Sequence, residues 1–140
     1  MRRLALILLL AGCGHRHGPA RTDDPHHLYV EVDADRSALD DGAARGLATI
    51  SFVRPTSHNG DVELQVETSR LDDASGVTVC SVKILALRLP QHDLLGIADA
   101  SGRARGTGGQ ARDDCLENVT ATLVRGKVRT LLQQQLRSKR

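Results

Sequence analysis

The stretch Val62-Glu63-Leu64-Gln65-Val66-Glu67 alternates apolar and polar residues at period two. Such alternation belongs to a β-strand with one dry and one wet face. Asp72-Asp73-Ala74-Ser75-Gly76 then supplies turn-forming residues, and Val77 to Leu89 is a second, longer apolar-rich strand that holds Cys80. A half-wet strand, a short turn and another strand predict an antiparallel hairpin. A sheet with one dry face must be covered by another layer, so this hairpin directs the reading of everything around it.

Upstream, Leu28-Tyr29-Val30-Glu31-Val32 alternates in the same way and reads as a first strand. Ser37 is placed as a helix N-cap, with Asp40 and Asp41 in the first turn, where carboxylates complement the helix dipole. Leu39, Ala43, Leu47 and Ile50 recur at helical spacing. Arg54 to Gly60 reads as a loop on its Pro, Asn and Gly. Downstream of Pro90, Leu94 to Ala100 is expected to be a further strand. Ser101 to Gln110 contains Gly102, Gly106, Gly108 and Gly109 and is expected to be a turn and flexible connection; it has no Gly-Lys-Ser/Thr ending, so it is not a phosphate loop. From about Ala111 to Leu136 a long helix is expected. Its inner face is marked by Leu116, Val119 and Leu123, then by Val128, Leu131, Leu132 and Leu136 on a rotated stripe, with Gly126 as a bend between them. The expected fold is α+β: a two-layer sandwich over residues 28–140, with a small, mainly antiparallel sheet of three or four strands packed by two helices, the last one long.

Composition narrows the function. The chain has 140 residues and a formal charge of +2, room for one small domain. Tyr29 and Phe52 are its only aromatic residues. Base stacking and sugar platforms need aromatic faces, so a nucleic-acid partner is excluded.

Arg2 and Arg3 precede seven apolar residues, Leu4 to Leu10, and then Leu10-Ala11-Gly12-Cys13. Seven residues of helix reach about 10 Å, too short for a bilayer core of roughly 30 Å. The segment resembles a bacterial lipoprotein signal peptide, and Leu10-Ala11-Gly12-Cys13 resembles its lipobox. The resemblance implies cleavage after residue 12, lipidation of Cys13 and anchoring to a membrane through that lipid. Gly14 after the cysteine implies outer-membrane sorting by the enterobacterial rule, with the domain facing the periplasm. Without residues 1–12 the chain holds 17 basic and 17 acidic side chains, so the +2 belongs to the signal peptide.

Residues 13–27 read as a lipid-anchored flexible tether. Residues 14–27 contain no Leu, Ile, Val or aromatic residue, but hold His15, His17, His26 and His27, with Asp23 and Asp24. A polar linker is the first reading; a metal-binding lipoprotein using these imidazoles is the alternative. With Cys13 committed to lipid, Cys80 and Cys115 remain. An oxidising periplasm permits a disulfide between them, which is the expectation, with two buried free thiols as the alternative.

No catalytic constellation emerges. His58 and His92 read as surface histidines, and neither a nucleophile elbow nor a paired carboxylate is present. No cofactor or resident metal is expected. Residues 28–75 carry ten acidic and four basic side chains, and residues 102–140 nine basic and three acidic. Opposed halves suit internal pairing or a polar docking face, and Arg137-Ser138-Lys139-Arg140 could meet anionic lipid or an acidic partner. The element order and lipidation resemble the periplasmic domains of outer-membrane lipoproteins such as penicillin-binding-protein activators and the curli-secretion lipoprotein. That resemblance implies a non-enzymatic binding or adaptor module for a protein of the envelope. The sequence carries no signal for an oligomeric state.

Overall fold

The computed structural model describes residues 24–140. The expected hairpin is its centre. Strand β3 (Val62–Ala74) pairs antiparallel with β4 (Val77–Arg88) from Val62↔Arg88 to Ala74↔Val77. The turn is only Ser75-Gly76, both at positive φ (52° and 74°), the geometry that matches the twist of two paired strands. Asp72 to Ala74, expected in the turn, therefore belong to the strand.

Around this hairpin the chain builds one sheet of order β2-β1-β3-β4-β5. Strand β1 (Leu28–Ala34) lies parallel to β3 and to β2 (Val53–Pro55), while β5 (Asp93–Arg105) is antiparallel to β4. The α+β, two-layer expectation holds, with five strands in a mixed sheet rather than three or four. The added strand is β2, whose Arg54 and Pro55 belong to the expected loop: Pro55 cannot donate to a ladder, so it is tolerated only at an edge. The second difference is β5, which runs on through Ser101 to Arg105 instead of ending at Ala100. Gly102 sits inside that strand for packing, not for turning.

Helix α1 spans Ser37–Leu47 and buries Leu39, Ala43 and Leu47 as expected; Ile50, just beyond, is buried too. Its cap position is Arg36 in extended conformation, with no side-chain cap bond, so Ser37 is the first helical residue and not the N-cap. Only two residues separate β1 from the helix, and the extended cap dihedral falls on the second of them. The C-terminal helix is continuous over 31 residues: α2 (Gly109–Leu123), a π-helical turn (Val124–Val128) and α3 (Arg129–Lys139). The wider turn, with exposed Gly126 at its middle, takes up the phase shift between the two apolar stripes. Leu116, Val119, Leu123, Val128, Leu132 and Leu136 are accordingly all buried.

Both helical segments cover one face of the sheet, where Leu28, Val30, Leu64, Val66, Val82 and Ile84 meet Leu39, Leu47, Leu116 and Leu132. Helix α1 and the C-terminal helix approach closely because α1 presents Gly42 and Gly46. A Cβ on Gly42 would stand 2.5 Å from the Glu117 carbonyl oxygen, and one on Gly46 would stand 2.7 Å from Val124 Cβ. Strand β5 does the same from the other side: a Cβ on Gly96 would be 2.7 Å from Leu131 Cδ2, and one on Gly102 would collide with Val119.

Cys80 on β4 and Cys115 on α2 form a disulfide, with Cα atoms 6.2 Å apart and both residues buried. Closing this 35-residue loop is worth about 3–4 kcal/mol on the chain-entropy account. A second clasp holds the far end of the hairpin. Asp73 accepts from Arg112 Nη2 (2.6 Å) and Nε (3.1 Å), and from the hydroxyl of fully buried Thr78 (2.8 Å). The Arg112 hydrogen bond, then those from Thr78 and the Gly108 N–H, hold the Asp73 carboxyl below the usual carboxylate range.

Two outcomes are expected. Gly42→Ala should cost about 1–3 kcal/mol in chemical denaturation, because the added methyl meets backbone. Gly126→Ala, which meets nothing within 4 Å, should instead gain roughly 0.5–1 kcal/mol. For Asp73, the folded state binds the charged form. Its stabilisation is complete above the unfolded carboxylate value of about 3.9 and is lost as pH falls through the lower folded value. Thermal unfolding of Asp73→Asn should therefore show a shallower loss of stability on the acid side than the parent protein.

Candidate functional site

The helices leave the other face of the sheet open. Strand register assembles that face in rows running from β1 across to β5. Glu31, Glu63, Leu87 and Leu94 form the first row, and Asp33, Gln65, Leu85 and Ile97 the second. Next come Glu67, Lys83 and Asp99, then Arg70, Ser81 and Ser101 beyond the bulge at Thr68/Arg70. Asp72, Val79 and Arg103, then Ala74, Val77 and Arg105, complete it towards the hairpin turn. Carboxylates thus concentrate on β1 and β3, and arginines at the far end of β5. Between them lies an apolar belt from β4 and β5, in which Leu94 and Ile97 are each 56% exposed. They are the large apolar side chains that the described residues leave in solvent.

Beside the belt, the loop after β4 shapes a groove of about 440 Å³ lined by Glu31, Asn59, Gly60, Glu63, Pro90 and His92. His92 Nε2 stands 3.3 Å from Glu63 Oε2, and Gln65 donates to the other Glu63 oxygen at 3.0 Å. The groove is therefore polar at its rim, with Leu89 and Pro90 as its apolar wall. His58, by contrast, bonds its neighbour Ser57 in an exposed loop. The two surface histidines are not brought together.

Of the residues singled out in the sequence, Cys13 and the signal peptide lie outside the described residues, as do His15, His17 and Asp23. Cys80 and Cys115 are joined, so the free-thiol alternative falls away. The last tether residues are packed against the domain. Asp24 accepts from His27 Nδ1 and from the His26 N–H (2.9 Å), and these bonds, the His27 one first, hold its carboxyl below the usual range. His27 Nε2 meets Arg54 Nη2 at 2.8 Å, and Lys139 Nζ donates to the His27 carbonyl at 3.2 Å. Both nitrogens of His27 are thus occupied by protein partners, which leaves it no lone pair for a metal. Among the described residues no three His, Cys, Asp or Glu side chains gather to hold a metal ion. The metal alternative finds no support in them.

The apolar belt itself was not found in the sequence. Its signal was present in the apolar odd positions of β4, Leu85 and Leu87, on what should have been the wet face.

A five-stranded mixed sheet with helices on one side is a small α+β fold that resembles several solved structures. No family model matches the chain, and no curated protein matches it. A Xanthomonas campestris protein of the DUF330 family is similar at TM-score 0.53 and 14% identity, over 88% of this chain and 93% of that one. A PelC dodecamer from Paraburkholderia phytofirmans is similar at TM-score 0.54 and 14% identity, over 71% and 87%. A Caulobacter crescentus protein designated a lipoprotein is similar at TM-score 0.51 and 17% identity, over 79% and 92%. At these identities the likeness is one of fold. Among the described residues no helix is long and apolar enough to cross a membrane.

If Leu94 and Ile97 serve recognition and not folding, removing them should leave stability nearly unchanged. Leu94→Ser/Ile97→Ser should unfold within about 0.5 kcal/mol of the parent protein in urea, as surface changes do. A loss of several times that size would assign both residues to the core.

Proposed function

We propose that this chain is a lipid-anchored lipoprotein of the bacterial cell envelope whose domain acts as a non-enzymatic binding module for a protein partner. The observation that carries the binding reading is the open sheet face, with its apolar belt flanked by carboxylates on one side and arginines on the other. Interfaces of this kind bury apolar centres inside polar rims, and an apolar patch on an otherwise helix-packed domain marks such a centre. The anchor rests on Leu10-Ala11-Gly12-Cys13, and Gly14 favours the outer membrane with the domain facing the periplasm. The designation of the Caulobacter protein as a lipoprotein supports the anchor, and the assembly of PelC into a dodecamer shows that a domain of this fold can form protein contacts.

The test combines labelling and crosslinking in cells. A palmitate analogue should label the parent protein and not Cys13→Ala, and the variant should leave the membrane in an alkaline wash. Retention of Cys13→Ala would sink the anchor. A photo-crosslinker at Ile97 should capture a different protein from one at exposed Gln134 on the helical side. Equal capture at both positions, or capture only of a second copy of this chain, would overturn the partner reading.

A further inference from the structure

The final seventeen residues, 124–140, carry six cations and no carboxylate. Arg125, Arg129 and Arg137 stand at four- and eight-residue spacing along the π-helical turn and α3, with Gln133 between them. All four are exposed, while Val124, Val128, Leu132 and Leu136 fill the buried side. Residues spaced by four share one helix face, so the arginines form a single stripe. Among the described residues no carboxylate pairs with any of the three. Elsewhere in the same layer Arg45 is paired with Glu117, Arg112 with Asp73 and Lys139 with Asp61. Like charges one turn apart repel, so the fold gains nothing from the stripe.

We infer that this helix face docks on an anionic phospholipid surface; the inference rests on the lipid anchor proposed above. Two observations select a bilayer as the occupant. The first is charge: guanidinium groups in a line without interleaved carboxylates match a plane of phosphates, at roughly 1 kcal/mol per cation near an anionic membrane. The second is where the described chain begins. Asp24 starts a turn at the end of the domain that holds the helix C-terminus, where Arg140 Nε meets the Pro25 carbonyl at 3.4 Å and Lys139 Nζ the His27 carbonyl. Eleven residues from Cys13 span at most about 40 Å fully extended, and the stripe from Arg125 to Arg137 is about 18 Å long. A lipid on Cys13 is therefore within reach of a bilayer on which the helix lies flat. The helix layer then faces the membrane, and the open sheet face with Leu94 and Ile97 faces away from it.

The test uses the chain from residue 13 with Cys13→Ser, so that no acyl chain contributes, mixed with vesicles at physiological salt. The vesicles are phosphatidylcholine alone or with one part in three phosphatidylglycerol. Partition onto the anionic vesicles should exceed that onto neutral ones. It should fall about fivefold per arginine in Arg125→Gln/Arg129→Gln/Arg137→Gln, on the order of a hundredfold for all three. The control Arg70→Gln/Arg103→Gln/Arg105→Gln removes as much charge from the sheet face and should stay within about twofold of the parent protein. No preference for anionic vesicles, or an equal fall in the control, would overturn the inference. Tighter retention on polyglutamate than on anionic vesicles would assign the stripe to an acidic protein and overturn it too. The palmitate label reads the anchor separately, so failure here with labelling intact sinks the docking face alone.

Discussion

The C-terminal helix lies closer to its neighbours than side chains normally allow, and the rest of the domain is arranged around that closeness. Gly42 and Gly46 open one flank for it, with Glu117, Thr120 and Val124 seated against the bare backbone of α1. Gly96 and Gly102 open the other, where Leu131 and Val119 press onto β5. Two helices can then sit side by side over a sheet of modest width and still bury one continuous core. The disulfide from Cys80 to Cys115 fixes the start of the helix in this seat, and the clasp of Asp73 on Arg112 ties the hairpin tip to the same end.

Putting both helices on one side separates the molecule into two surfaces of different chemistry. The helical side carries Arg125, Arg129 and Arg137, which no carboxylate pairs among the described residues, and the sheet side carries an apolar belt between charges of opposite sign. The charge halves read from the sequence correspond to this partition only in part. Acidic residues do gather on β1 and β3, but Asp73 and Asp61 pair across the halves with Arg112 and Lys139. Internal pairing therefore accounts for some of the opposition between halves, and it leaves Arg125, Arg129 and Arg137 without a carboxylate among the described residues.

How much of this was legible differs by element. The β3–β4 hairpin, the buried faces of both helices and the Cys80–Cys115 pair follow from periodicity and cysteine counting, because each is a local pattern or a matter of elimination. Gly102 shows where local reading stops. A glycine in a stretch rich in glycine signals a turn, yet here its missing side chain makes room for Val119, a residue seventeen positions away. The short strand β2 was hidden for a related reason: Val53–Pro55 becomes a strand only because β1 offers it an edge. The candidate site was the least visible part. Alternation reports that a strand has a wet face, but only cross-strand register places Leu85 beside Ile97 and Leu87 beside Leu94.

The glycines of α1 bear also on the order in which the chain can assemble. A glycine inside a helix costs about 1 kcal/mol against alanine, and an eleven-residue helix is marginal in water even without that handicap. Helix α1 therefore gains its stability on docking, and much of the surface it docks on comes from Glu117, Thr120, Ala121 and Val124 of the C-terminal helix. A helix that precedes four of the five strands thus depends on one that follows them all.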